Sequence, residues 1–294
     1  MLGIQKKNIH KRRTLPLVGP SVASLLLWML VPLVMTLWFS FQRYQLLSPQ
    51  NRGFIGWSNY SYLLSDPALW TALVNTLVLS GVVLIITVVL GLGLALLFAQ
   101  DFPGNSVARI LAISPFFVMP TVSALVWKNM LMHPVNGLFA FWSSLVGLPA
   151  IDWFGDWPMV SIILIVSWQW TPFALLVLMT ALQSVDPQQK EAAYLDGAGT
   201  FAVFIHVVLP HIKRAIAMVV MIEMMFFLTI FAEIFVTTNG GPGLSTTNLA
   251  FLIYIRALLD FDIGVASAGG IIAIVLANIV AIFLIRTVAK SMDA

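Results

Sequence analysis

Long uninterrupted runs of apolar residues dominate this chain, and short polar segments separate them. A helix needs about 20 apolar residues to cross the hydrocarbon core of a bilayer, so runs of this length predict membrane spans. Six such runs occur, and only the fifth contains charged residues, Glu223 and Glu233: residues 15–41, 71–99, 110–127, 158–185, 215–236 and 263–285. The pattern therefore predicts an all-α, polytopic membrane protein with six transmembrane helices.

Two apolar segments need separate treatment. The third run is short and contains Pro115 and Pro120, so its ends are the least sharply defined. The apolar segment 138–150 is too short to span and predicts an interfacial helix in an outer loop. A β-barrel is excluded because barrel strands alternate polar and apolar positions over about ten residues, whereas these runs are continuous.

Composition supports lipid as the solvent for most of the surface. The chain is 60% hydrophobic and 9% charged, whereas soluble domains carry about 25% charged residues. The absence of cysteine excludes disulfides, cysteine zinc sites and a thiol nucleophile. The four histidines lack ligand spacing, and the sequence contains no phosphate-binding loop or catalytic constellation. We therefore expect no bound cofactor or metal and no enzymatic activity in this chain.

The positions of lysine and arginine predict its orientation. With the N-terminus inside, eleven basic residues fall in inner segments and four, Arg43, Arg52, Lys128 and Arg256, in outer ones. This asymmetry places both termini in the cytoplasm. The basic residues 6–13 are then a topology signal in contact with lipid headgroups, not a nucleic-acid site. The predicted organisation is a basic N-terminus (1–14), a retained anchor helix (15–41), a core of five further spans (71–287) and a cytoplasmic tail (288–294).

The cytoplasmic segment 184–214 is the longest inner connection and has its own predicted structure. Asp186 is a favoured N-cap followed by Pro187, and Gln189 completes a capping box, so a short helix begins here. Gly197 ends that helix. A second helix starts near Thr200, has Phe201, Phe204, Ile205 and Val208 on one face, and is expected to end at Leu209 and Pro210.

Small residues at the bend of this segment permit close approach of another backbone: Ala192, Ala193, Gly197, Ala198 and Gly199. Two interpretations follow from the residues alone. The segment is either a projection that enters a groove on another protein, or a helical hairpin that holds the fourth and fifth spans together.

The same segment resembles the "EAA" loop of permease subunits of binding-protein-dependent ABC importers. That loop has Glu-Ala-Ala, three residues, Gly, nine residues, Ile, one residue and Leu-Pro. This chain has Glu191-Ala192-Ala193, Gly197 and Leu209-Pro210 at that spacing, with Val207 in place of the isoleucine. The Thr-Thr-Asn-Gly-Gly-Pro-Gly at residues 237–243, with Tyr254, 261–264 and Ala266, is similar to carbohydrate-type permeases, more narrowly the maltose-like and sorbitol/mannitol-like ones.

The resemblance implies a type I ABC importer permease fold in a bacterial inner membrane. It implies a homologous second permease subunit, two ATPase subunits that use the ATP and magnesium, and a soluble substrate-binding protein as partners. The solute would be a carbohydrate or sugar alcohol. The residues implied to couple to the ATPase are Glu191, Ala192, Ala193, Asp196, Gly197, Ala198, Gly199, Leu209 and Pro210.

Polar residues inside the apolar runs are candidates for the solute path, because a polyhydroxylated solute needs hydrogen-bond partners beside apolar surface. The fourth span offers Trp168, Gln169 and Thr171 beside the helix-bending Pro172; the fifth offers Thr229, Glu233 and Thr237 at i, i+4 and i+8; the sixth offers Asn278. Such groups also serve simply to join neighbouring helices, which is the role we expect for Glu223.

The alternative function is an ion-coupled secondary transporter that uses the intramembrane carboxylates, but it leaves the structured cytoplasmic loop unexplained.

Overall fold

The protein is described from a computed structural model that covers residues 5–293 of the backbone and the side chains of residues 18–287. The basic side chains of residues 6–13 and the side chains of the 288–294 tail, predicted to be cytoplasmic, lie outside the described residues. The helices, in chain order, are α1 Gln5–Ser40, α2 Ser58–Ser65, α3 Pro67–Phe98, α4 Asn105–Ile113, α5 Pro120–Val126, α6 Leu138–Leu145, α7 Trp153–Asp156, α8 Pro158–Gln183, α9 Pro187–Leu195, α10 Thr200–Val203, α11 Leu209–Phe227, α12 Ala232–Thr237, α13 Leu249–Tyr254 and α14 Ile263–Asp293. Strands β1 (Gln42–Arg43) and β2 (Gly53–Phe54) form a short antiparallel hairpin.

Five helices in the described part of the chain are long and apolar enough to cross a membrane: Val18–Ser40, Pro67–Phe98, Pro158–Gln183, Thr200–Phe227 and Ile263–Thr287. The third predicted run is instead a pair of helical segments, Asn105–Phe117 and Pro120–Leu131, bent by 108°. Met119 between them is extended, as expected for the residue before a proline, and Pro120 starts the second segment. The count is six spans when this bent pair is taken as one.

The fifth span begins earlier than predicted. Leu209 and Pro210 do not end a helix; α10, a π-helical turn at Phe204–Val208 and α11 form one continuous helix over Thr200–Phe227. Proline lacks an N–H, and its ring disturbs the regular ladder of the preceding turn. Here that turn is π-helical, and Leu209 N–H donates to Phe204 O, so the helix passes through the proline unbroken.

The fifth span also ends earlier than predicted, at Phe227 and not near residue 236. Phe231 has φ −141° and ψ −50°, which is not helical, and α12 starts only after it. The carbonyl oxygen of Ile230 accepts a hydrogen bond from the side-chain amide of Asn248. Thr229, Glu233 and Thr237 therefore do not form a stripe on one helix, because the first of them lies in the break.

Two compact units divide the chain, residues 1–65 with 253–272 and residues 66–252 with 273–294. In the first unit, the end of α1, the hairpin and α2 are joined by ring contacts among Phe41, Trp57 and Tyr60. The buried Asn59 amide donates to the carbonyls of Ser40 (2.9 Å) and Gln42 (2.8 Å).

The core of the second unit lies where α3, α8 and α11 pack together. Buried aliphatic side chains from these helices fill it, among them Leu175, Leu178 and Val219. At Gly91 of α3, an added Cβ would lie 2.5 Å from Cβ of Ala174 on α8. The two helices therefore approach too closely there for any residue but glycine.

Candidate coupling loop and solute path

Helix α9 is held at its first turn as the sequence predicts. Asp186 Oδ1 accepts a hydrogen bond from Gln188 N–H at 2.9 Å, which satisfies one of the amides that a helix start leaves free. No reciprocal bond from the Gln189 side chain occurs among the described residues, so the cap is a single bond and not the predicted box.

Gly197 ends α9 by adopting φ +84°. Its N–H donates to Tyr194 O and the Ala198 N–H to Ala193 O, both at 3.0 Å. These two bonds make a Schellman motif, in which a left-handed residue closes the helix. An added Cβ at Gly197 has no atom within 4 Å, so the position is open to whatever approaches the bend.

The tip of this segment presents apolar side chains to its surroundings. No residue of α9 is buried. Its last residue, Leu195, is 89% exposed, and Phe201 beyond the bend is 78% exposed. Glu191, Ala192 and Asp196 lie on the same exposed tip. Of the residues predicted to share one face of the second helix, Phe204 and Val208 pack against the core, together with Val203, whereas Phe201 does not. A surface of this kind in a loop is typical of a protein–protein contact.

The base of the segment, in contrast, is part of the core. Val185 and Ile212 are buried, Leu209 packs against the same cluster, and Ser184 Oγ lies 3.1 Å from His211 Nε2. The segment 184–214 thus has an exposed tip and a base anchored in the core. The anchored base supports the interpretation as a hairpin that holds the fourth and fifth spans together, and entry of the tip into a groove on another protein stays a prediction.

Of the solute-path candidates on α8, Gln169 is 4% exposed and donates from Nε2 to Val118 O at 2.8 Å. That carbonyl belongs to the bend between the two segments of the third run. Gln169 Oε1 has no hydrogen-bond partner among the described residues. Thr171 is buried and donates to Ser167 O in its own helix, while Trp168 lies against Trp127 with ring centroids 5.7 Å apart.

The remaining candidates lie elsewhere. Glu233 on α12 is 4% exposed, whereas Thr229 donates to Phe226 O beside the helix break. Asn278 is exposed on α14 and donates to Ile274 O in its own helix. No hydrogen bond between described residues joins Gln169, Glu233 and Asn278, so the structure does not assemble them into one site.

Sequence reasoning missed a network around residues 239–248. Asn75 on α3 donates to Leu244 O and Thr247 O, both at 2.9 Å, and Thr76 Oγ1 accepts from Leu249 N–H. Asn248 bonds both Ile230 O and Phe251 N–H. The signal in the sequence that could have revealed this network is the polar pair Asn75-Thr76 inside an otherwise apolar run.

Lys128 was also missed. Its Nζ donates to Val236 O (3.0 Å) and Thr237 O (2.7 Å), the last carbonyls of α12. A cation at a helix C-terminus is favourable because the free carbonyls there carry partial negative charge. Lys128 therefore fixes the helix that carries Glu233.

Comparison with known proteins decides the family. The family described as binding-protein-dependent transport system inner membrane component matches residues 26–294. The chain belongs to this family. It is 31% identical over 263 residues to the trehalose/maltose transport system permease protein MalF of Thermococcus litoralis, covering 88% of each chain. It is 28% identical over 274 residues to the sulfoquinovosyl glycerol transport system permease protein SmoG of Agrobacterium fabrum, covering 92% of this chain and 89% of the relative.

A solved structure supports the fold independently. A bacterial ABC transporter involved in the import of the polysaccharide alginate superimposes with a TM-score of 0.81 at 22% identity, covering 98% of this chain and 99% of that one. The predicted helical type I permease fold and the predicted family are therefore confirmed. The chain is a multi-pass membrane protein and a permease subunit of an ABC importer, not an ion-coupled secondary transporter.

Proposed function

We propose that this permease moves a carbohydrate or sugar alcohol into the cytoplasm by alternating access. The observation that carries the coupling half of this proposal is the exposed, doubly capped α9 with its Glu191-Ala192-Ala193 tip. The solute class is supported by relatives named for trehalose, maltose and sulfoquinovosyl glycerol transport.

The assembly we propose contains a homologous second permease, two ATPase subunits and a soluble binding protein in a bacterial inner membrane. Both termini face the cytoplasm, as the basic residues of the inner segments predict. ATP and magnesium are used by the ATPases, and this chain holds no cofactor. Membrane lipid surrounds its spans, and nucleic acid has no part.

The geometry supports a direct mechanical route from the ATPase to the spans. Phe201 at the exposed tip and Phe227 at the end of α11 belong to one continuous 28-residue helix. Closure of the ATPase dimer on ATP binding would displace the tip, and a stiff helix passes that displacement along the fifth span. The anchored base, with Val185 and Ile212 in the core, carries it to α8 as well.

For the solute path we retain Trp168, Gln169 and Thr171 on α8, Thr229 in the break of the fifth span, and Glu233 on α12. Gln169 has a free acceptor oxygen among the described residues, and the fifth span is interrupted between Phe227 and Ala232. Interrupted helices provide backbone groups at the solute sites of other transporters. Asn278 is the weakest candidate, because its amide is bonded within its own exposed helix.

Uptake by reconstituted vesicles tests this function. The complete complex and its binding protein would be offered radiolabelled maltose, trehalose, sorbitol and mannitol, with and without ATP inside. We expect ATP-dependent accumulation of at least one of them, insensitive to collapse of the proton gradient. Uptake that follows the proton gradient, or no uptake of any polyol or sugar, would contradict the proposal.

A further inference from the structure

A polar cleft of about 550 Å³ lies within the first compact unit, and none of the residues assigned to coupling or to the solute path lines it. Three segments supply its walls: the strand β1 and the turn after it, the helix α2, and the turn before α14. The side chains that decide its chemistry are Arg43, Asn59, Tyr62, Arg256, Asp260 and Asp262.

Backbone bonds hold these walls together. Gln45 and Asp262 form an antiparallel bridge, Leu46 N–H donates to Phe261 O at 2.8 Å, and Ile263 N–H donates to Tyr44 O at 2.9 Å. Gly264 leaves no room for a Cβ beside the Gln42 carbonyl oxygen. The cleft is therefore formed before any partner binds, so binding would cost little conformational entropy in the cleft itself.

The cleft holds two arginines and two aspartates, so its formal charges balance in number, but not every one of these groups has a partner. Arg256 donates to Asp260 Oδ2 at 2.8 Å and lies over the Tyr62 ring, 5.8 Å from its centroid. Asp262 Oδ1 accepts from Val265 N–H at the start of α14. Both carboxylates thus have internal partners, whereas the exposed Arg43 forms no ion pair with any described residue. Arg43 is therefore the one of these four charged side chains that has no internal partner among the described residues.

We propose that this cleft receives a surface carboxylate, from Asp or Glu, of the soluble binding protein. The inference rests on the proposed function, which places residues 41–62 and 255–262 on the outer side. It also draws on the dependence of the family on a binding protein. A guanidinium fork binds a carboxylate through two parallel hydrogen bonds. A neutral sugar is the less suitable occupant, because it carries no charge that could pair with the unpaired guanidinium of Arg43.

The affinity of the binding protein for the complete importer tests the site. Binding would be measured with the importer in lipid nanodiscs at low and high salt. We expect Arg43→Glu to weaken affinity at low salt by about tenfold and to flatten the salt dependence, because charges at an interface rim act mainly through electrostatic attraction. Asp260→Asn is expected to tighten binding, since it removes the carboxylate that competes for Arg256.

Arg52→Glu is the matched control. Arg52 is another arginine of the same unit, but it lies over the Tyr44 ring, bonds Gln42 Oε1 and does not line the cleft. We expect it to change affinity little. Equal weakening by Arg43→Glu and Arg52→Glu, or no weakening by either, would overturn the proposal. So would weaker binding of Asp260→Asn, which would indicate a cationic or hydroxyl-bearing occupant. If the wild-type complex neither binds the protein nor transports, the proposed function itself has failed.

Discussion

Two carboxylates of the same apolar run, Glu223 and Glu233, have different surroundings. Glu223 is fully buried, and Thr87 Oγ1 on α3 donates to its Oε2 at 2.6 Å, which joins α11 to α3. Its Oε1 has no hydrogen-bond partner among the described residues. This geometry supports the structural role that we expected for Glu223.

Replacing Glu223 tests that role. Glu223→Gln keeps an acceptor oxygen toward Thr87, so we expect unchanged assembly and uptake. Glu223→Ala removes a bond worth about 1 kcal/mol between membrane helices and leaves a cavity, so the purified complex should unfold at a lower temperature. Thr87→Val removes the same bond, and the double variant should therefore lose less stability than the sum of the two singles. Loss of uptake by a stably assembled Glu223→Gln variant would show instead that the carboxylate itself is used in transport.

Single residues also mark the limit of prediction from the sequence. The cap at Asp186 and the bend at Gly197 were predicted from local chemistry, and both are present. The prolines of the third run, Pro115 and Pro120, marked its ends as poorly defined, but the break at Met119 was not predicted. The break after Phe227 has no proline or glycine in it and is accompanied by a bond from Asn248, which lies 18 positions from Ile230. Tertiary bonds of this kind leave no local signal, so the polar stripe expected on one helix was wrong.

At the scale of elements, the coupling segment consists of an open tip on an anchored base. Glu191 is exposed at the tip, so its carboxylate is solvated until a partner covers it. We expect Glu191→Ala to weaken the linkage between ATP use and uptake by about 1–3 kcal/mol, the usual range of coupling free energies. The measurement is the ratio of solute uptake to ATP hydrolysis in reconstituted vesicles.

Gly197→Leu should have a larger effect than Glu191→Ala. A Cβ in the left-handed conformation costs roughly 1–2 kcal/mol, and the added side chain also projects into open space where the partner must approach. Gly147→Leu is the matched control, because Gly147 has φ +72° and equally open surroundings in a different loop. We expect the importer with Gly147→Leu to carry the same backbone strain and still to link uptake to ATP hydrolysis. We expect the importer with Gly197→Leu to lose that link. Normal uptake by Gly197→Leu would return the segment to the role of a hairpin.

At the scale of the whole molecule, the topology depends on whether the bent pair Asn105–Phe117 and Pro120–Leu131 crosses the membrane or returns to the side it came from. The lengths of the two segments do not distinguish crossing from return, because each segment alone is shorter than a full span. The positive-inside rule favours crossing, because only then do Lys190, Lys213 and Arg214 fall on the same side as the basic N-terminus.

Cysteine accessibility decides between these topologies, and the chain contains no native cysteine to interfere. Phe54 (69% exposed) and Leu195 (89% exposed) are separated by α3, the bent pair and α8. If the bent pair crosses, an odd number of crossings lies between them, and Phe54→Cys and Leu195→Cys must face opposite sides. We expect a membrane-impermeant maleimide to label Phe54→Cys in intact spheroplasts and Leu195→Cys only after permeabilisation. Labelling of both positions from the outside would show that the pair is re-entrant, and it would place the coupling segment on the wrong side for a cytoplasmic ATPase.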